Sequence, residues 1–141
     1  MISDLIFKIQ TVVQEILGEP LHIHAQDTCS ELSRYVGYIL LENILDIDAW
    51  IYKLEIPHDK VHDILITHNQ DVWQAIDPTI WQFFPEEKTV LVATSNKKEN
   101  LIKLIGKKYG TKNILESERL EVGDINQKGE LLDTVKKIIK S

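Results

Sequence analysis

The stretch from Val61 to Asp77 constrains this chain more than any other. Two runs rich in Ile, Val and Trp, Val61 to His68 and Val72 to Asp77, are separated only by a turn at Asn69-Gln70. A gap that short forces neighbouring strands to run antiparallel as a hairpin. With Asn69 and Gln70 as the loop, His68 faces Asp71, Ile66 faces Trp73, Ile64 faces Ala75 and His62 faces Asp77. A four-residue loop from His68 to Asp71 keeps that register. Opposed side chains share a face with Cβ atoms about 4.5–5.5 Å apart, so an imidazole N–H meets a carboxylate. The spacing therefore predicts a His62–Asp77 pair.

The other histidines compete poorly for this role. His68 shares the face of His62 but lies roughly 20 Å along the strand, at about 3.3 Å per residue. His58 follows Pro57 in the turn with no carboxylate opposite it, and Asp63 points to the other face.

The single cysteine of the 141 residues stands in Asp-Thr-Cys-Ser-Glu, from Asp27 to Glu31. Thr28 and Glu31 have the spacing of a capping box, in which the threonine hydroxyl takes the Glu31 N–H and the glutamate reaches back. Cys29 is then the first helical residue, beside unpaired N–H groups and the positive end of the helix dipole, both of which favour a thiolate. On that helix it shares a face with Leu32, Ser33, Val36 and Leu40, which turns the sulfur toward the edge of an interior sheet.

Periodicity supplies the remaining elements. Apolar residues from Ile2 to Leu17 recur at helical steps, ended by Gly18 and Pro20. Glu19 to Gln26 reads as a loop. Ile47 to Ile56, Thr89 to Thr94 and Asn113 to Val122 read as further strands. Ser95 is placed to cap a helix through Leu101, Leu104 and Ile105 that stops near Gly110. A last helix, opened by Asp124 or Asn126, carries Leu131, Leu132, Val135, Ile138 and Ile139. The expected fold class is α+β: one domain over residues 1–141, an antiparallel β-sheet with the Cys29 helix packed against it, and additional N- and C-terminal helices.

Composition matters chiefly for what it excludes. A formal net charge of −6 argues against a general nucleic-acid binder. No stretch is apolar for the 18 or more residues of a membrane span, and no basic flank leads into a signal-peptide core. A lone cysteine forms no internal disulfide. The expected location is the cytoplasm, or outside the cell by a signal-peptide-independent route if the protein is a toxin.

A cysteine at a helix start, followed by a histidine and an aspartate on adjacent strands, supplies a nucleophile, a base and an orienting carboxylate. This order resembles the papain-like superfamily in its broad sense, which includes transglutaminase-like proteins, arylamine acetyltransferase-like enzymes and bacterial papain-fold toxins of the deamidase kind. The resemblance runs from about Gln26 to Phe83. It is carried by Asp-Thr-Cys-Ser-Glu-Leu-Ser, by His62 in Val-His-Asp-Ile-Leu-Ile and by Asp77 in Ala-Ile-Asp-Pro-Thr-Ile-Trp-Gln-Phe. The Asp-Pro-Thr segment is its most specific part.

The resemblance implies a cysteine hydrolase or acyltransferase acting on an amide or thioester carbonyl, with Cys29, His62 and Asp77 as the triad. It also implies glutamine deamidation or transamidation of a protein or peptide substrate and, for a toxin, an immunity or regulatory partner. The Cys-Gly-Ser-Cys-Trp segment of papain-type peptidases and the glutamine before it are absent, which argues against peptidase activity of that type. The oxyanion would fall to the Cys29 N–H and a donor from the preceding loop, where Gln26 is the nearest side chain. Trp81, Gln82 and Phe83 are placed to wall the cleft, with Trp81 the candidate for substrate contact. His22, His24, Cys29 and His62 lack a recognised zinc spacing, so no metal or cofactor is expected. The competing reading is an inactive binding or adaptor module of the same fold in which Cys29 is a buried structural residue.

Overall fold

The computed structural model describes residues 2–57 and 60–140; His58, weighed above as a competing base, lies outside them. The protein is α+β, with a five-stranded antiparallel sheet and, among the described residues, five α-helices. The chain begins with α1 (Ile2–Leu17), α2 (Leu21–His24) and α3 (Cys29–Asn43). A meander follows, of β1 (Asp48–Ile56), β2 (Lys60–Asn69) and β3 (Val72–Ile76), and then a 3₁₀ turn (Ile80–Gln82). Next come β4 (Leu91–Ser95), α4 (Lys98–Tyr109), β5 (Ile114–Arg119), a second 3₁₀ segment (Val122–Gln127) and α5 (Lys128–Lys140). The strands lie in the order β4-β3-β2-β1-β5.

Both faces of the sheet are covered. Ile6, Ile9, Val13 and Leu17 of α1, Leu32, Val36 and Leu40 of α3 and Val135 of α5 pack on Ala49, Ile51, Leu65 and Ile76. Leu101, Ile105 and Tyr109 of α4 pack on the opposite face, against Leu54, Ile64, Ile66 and Ala75. Covering on two sides explains why β2 is buried continuously from His62 to Thr67 rather than at alternate residues. Gly37 lets α3 lie close to its neighbours: a Cβ there would sit 2.3 Å from Leu120 Cδ1 and 3.0 Å from Leu65 Cδ1. Ser33 ties the same helix to the strand, its hydroxyl donating to the Asp63 carbonyl at 3.2 Å.

The hairpin register differs from the expected one by two residues. Asn69 pairs with Val72, His68 with Trp73, Ile66 with Ala75 and Leu65 with Ile76, so the turn consists of Gln70 and Asp71. Asn69 belongs to the strand because its side-chain amide donates to the Leu45 and Asp46 carbonyls at 3.2 and 3.4 Å, while Gln70 takes the left-handed conformation the turn needs (φ 56°). A slip of two preserves side-chain parity, so His62 and Asp77 keep a common face.

Local corrections have similarly local causes. The segment expected as a loop from Glu19 to Gln26 contains the turn of helix α2. Thr28 does not form the capping box: its hydroxyl donates back to the Ala25 carbonyl at 2.7 Å, and no side chain caps α3. Ser95 accepts from the Lys97 N–H, and α4 begins at Lys98 without a side-chain cap. The residues around Asp124 and Asn126 form 3₁₀ structure, and α5 begins two residues beyond Asn126, at Lys128.

Candidate active site

The site exists because β3 is shorter than β2. Leu65–Ile76 is the last β2–β3 pair at that end, so β2 from Lys60 to Ile64 is paired with β1 alone. Beyond Ile76 the chain turns at Asp77-Pro78 into the 3₁₀ turn, with the Asp77 N–H held by the Val90 carbonyl at 2.8 Å. In the space left beside β2, the start of α3 from one layer and the end of α4 from the other meet at His62.

His62 and Asp77 are both wholly buried. Imidazole Nε2 donates to Asp77 Oδ2 at 2.6 Å. The same oxygen accepts the Tyr109 hydroxyl, while Oδ1 accepts the Thr79 N–H at 3.0 Å and the Thr79 hydroxyl at 3.3 Å. Four donors around one carboxylate supply the pairing that a buried charge requires. The Phe83 ring meets His62 edge to face at 4.6 Å between centroids, and the Tyr109 ring lies at 5.8 Å.

Cys29 is the first residue of α3 and half-buried. It stands near enough to the imidazole to be among the groups that raise the His62 pKa. Burial alone would lower the His62 pKa, but the charge and hydrogen bond of Asp77, joined by those of Cys29, outweigh it and push the value up to about 10. Burial first, then the charge of Asp77, raises the Tyr109 phenol far above its ordinary range, so it remains a hydrogen-bond donor.

The structure thus brings Cys29, His62 and Asp77 together. Gln26 is exposed, in the turn where Asp27 adopts a positive φ of 65°. Trp81 is 2% exposed and sits in the core, its indole N–H donating to the Glu87 carbonyl at 2.8 Å. From the same segment it is Gln82 and Phe83 that touch the histidine. Asp63, adjacent to His62, faces the other way and holds Lys53 at 2.9 Å and Arg34 at 3.6 Å. His22 is exposed, and His24 Nδ1 lies 2.7 Å from the Leu17 carbonyl. A surface cavity of about 720 Å³ lined by Leu5, Ile44, Val72 and Gln74 lies by Asn69, at the other end of β2 from His62.

Three partners went unread in the sequence: Thr79 and Gln82 as hydrogen-bonding groups, and Tyr109 altogether. Asp-Pro-Thr carried a signal for Thr79, since an aspartate readily accepts the N–H two residues on. Tyr109 carried none, being a helix-terminal residue 32 positions from Asp77.

No family model, curated protein or solved structure matches the chain. No helix among the described residues is long and apolar enough to cross a membrane.

Proposed function

We propose that the protein is a papain-like cysteine hydrolase or acyltransferase acting on an amide or thioester carbonyl, with Cys29 as nucleophile, His62 as proton carrier and Asp77 as the carboxylate that orients it. The observation that carries this reading is the buried imidazole bonded through Nε2 to Asp77, with Cys29, at the start of α3, among the groups that raise its pKa. Asp77 occupies Nε2, so the sulfur's proton goes to Nδ1, the ring nitrogen that the Gln82 amide nitrogen approaches at 3.0 Å.

In the first step the sulfur attacks the carbonyl carbon. The C–S bond forms as the C=O electron pair moves to oxygen. The tetrahedral species collapses, breaking the bond to the leaving nitrogen or sulfur, which takes the proton from Nδ1. Water or an amine then attacks the acyl-cysteine, gives its proton to Nδ1 and releases the acyl group. Because Thr28 turns its hydroxyl to Ala25, no side chain among the described residues occupies the N–H groups at the start of α3. The Cys29 N–H is the natural oxyanion donor. Glutamine side chains of protein or peptide substrates are the amides proposed, by resemblance, and the chemistry requires no cofactor.

Alkylation of the folded protein by iodoacetamide, followed by intact mass, tests the reading. Cys29 should label in the native state at neutral pH, and His62→Ala should slow labelling at least about tenfold, since the thiolate is the reacting form. A cysteine that labels only after unfolding would sink the proposal in favour of a structural thiol in a binding module.

A further inference from the structure

The 3₁₀ turn after Asp77 places one more polar group on the proton-carrying histidine. The Gln82 amide nitrogen lies 3.0 Å from His62 Nδ1 and 3.1 Å from Thr79 Oγ1. Gln82 is half-buried, between the enclosed imidazole and solvent.

The orientation of that amide follows from counting protons. Asp77 only accepts, so the single hydroxyl proton of Thr79 goes to Oδ1 and leaves Thr79 Oγ1 with lone pairs alone. Whatever Gln82 presents to that oxygen must donate, which selects its NH₂ group over its carbonyl. The second N–H of the same group then points at Nδ1, where it finds a partner only if Nδ1 holds a lone pair. The result is a closed circuit: His62 Nε2–H to Asp77, Gln82 to His62 Nδ1, Gln82 to Thr79, and Thr79 back to Asp77.

We propose that Gln82 is a positioning residue for His62, donating its amide N–H to Nδ1 and thereby opposing a second proton there. This rests on the acyl-transfer reading, in which Nδ1 must take a proton and give it up within one turnover. The titratable groups facing the ring are Cys29 from α3, Asp77 from the end of β3 and Tyr109 from α4; Phe83 and Gln82 carry no charge. Asp77 and Cys29 raise the ring's affinity for its second proton, and a base so held is slow to return that proton. Gln82 is the neighbour whose bond is lost when Nδ1 is protonated, unless the amide turns over and Thr79 releases Asp77.

The test is an NMR titration of the full chain labelled with ¹⁵N at histidine and glutamine, from about pH 5 to about 12. Gln82→Met keeps the length of the side chain but donates nothing. It should raise the His62 midpoint by about one pH unit, a tenfold gain in proton affinity, with cooperative urea unfolding retained. In the wild type above the midpoint, a through-hydrogen-bond coupling should connect the Gln82 amide nitrogen to Nδ1. That second measurement needs no variant to fold. A midpoint unchanged or lowered in Gln82→Met, or no coupling in the wild type, would overturn the assignment. Neither readout involves turnover, so a midpoint that responds to Gln82 in a protein whose Cys29 does not alkylate would uphold the placement of Gln82 and remove only the acyl-transfer reading.

Discussion

His62 and His68 stand on the same strand and the same face, yet the sheet treats them differently. At His68 the neighbouring strand is still present: the ring lies opposite Trp73 and stacks on it at 4.1 Å, half-buried and, among the described residues, without a carboxylate partner. At His62 the neighbouring strand has ended, and its place is taken by Asp77, the 3₁₀ turn, the first turn of α3 and the last of α4. The first histidine fills a position in a ladder. The second is enclosed by groups from three separate parts of the chain. One residue type on one β face thus becomes packing or chemistry according to whether the strand beside it continues.

Replacing each histidine by alanine gives the widest contrast. His62→Ala leaves the Asp77 carboxylate buried without its imidazole, and breaking a buried pair from one side costs about 3–5 kcal/mol. His68→Ala removes one stacked ring at a half-exposed site, worth about 0.5–1.5 kcal/mol. Urea unfolding of the two variants measures both, and equal losses would abolish the distinction.

The pH dependence of stability sharpens the comparison. Folding raises the His62 pKa from the ordinary 6.5 to about 10, so the folded state binds the ring proton more tightly than the unfolded chain. The stabilisation from that proton is fully present below about pH 6.5 and is lost as the pH rises through about 10. The stability gap between wild type and His62→Ala should therefore narrow by a few kcal/mol between about pH 6 and about pH 10.5. A gap for His62 that widened with pH would reverse the argument.

A smaller effect than that of His62 concerns Tyr109, the partner without a sequence signal. Tyr109→Phe removes one of four donors to Asp77 while keeping the ring against Phe83 and Phe84. A hydrogen bond to a charged group contributes about 1.5–3 kcal/mol, and three donors remain, so a loss near about 1.5 kcal/mol in urea unfolding is expected. A neutral result would mean that the carboxylate is satisfied without the phenol.

Part of this arrangement was already determined by the order of residues. Strand periods placed the five strands close to their observed bounds, and the Thr28–Glu31 spacing set Cys29 at the first position of a helix although the capping bond it predicted does not form. Parity placed His62 and Asp77 on one face even though the hairpin register was two residues off, because side-chain direction repeats every second residue and a shift of two leaves it unchanged. The register itself depended on Asn69, whose amide reaches back to Leu45 and Asp46, contacts that exist only once the sheet is assembled. Thr28 likewise had two acceptable partners nearby, and the turn through Ala25 selected one. Tyr109, Thr79 and Gln82 became parts of the site through tertiary structure, for a common physical reason. A hydrogen bond forms where donor and acceptor come within about 3 Å of each other in usable directions. Local periodicity sets which way a side chain points, but which distant groups arrive at that distance is decided by where β3 stops and how the helices on the two faces close around its end.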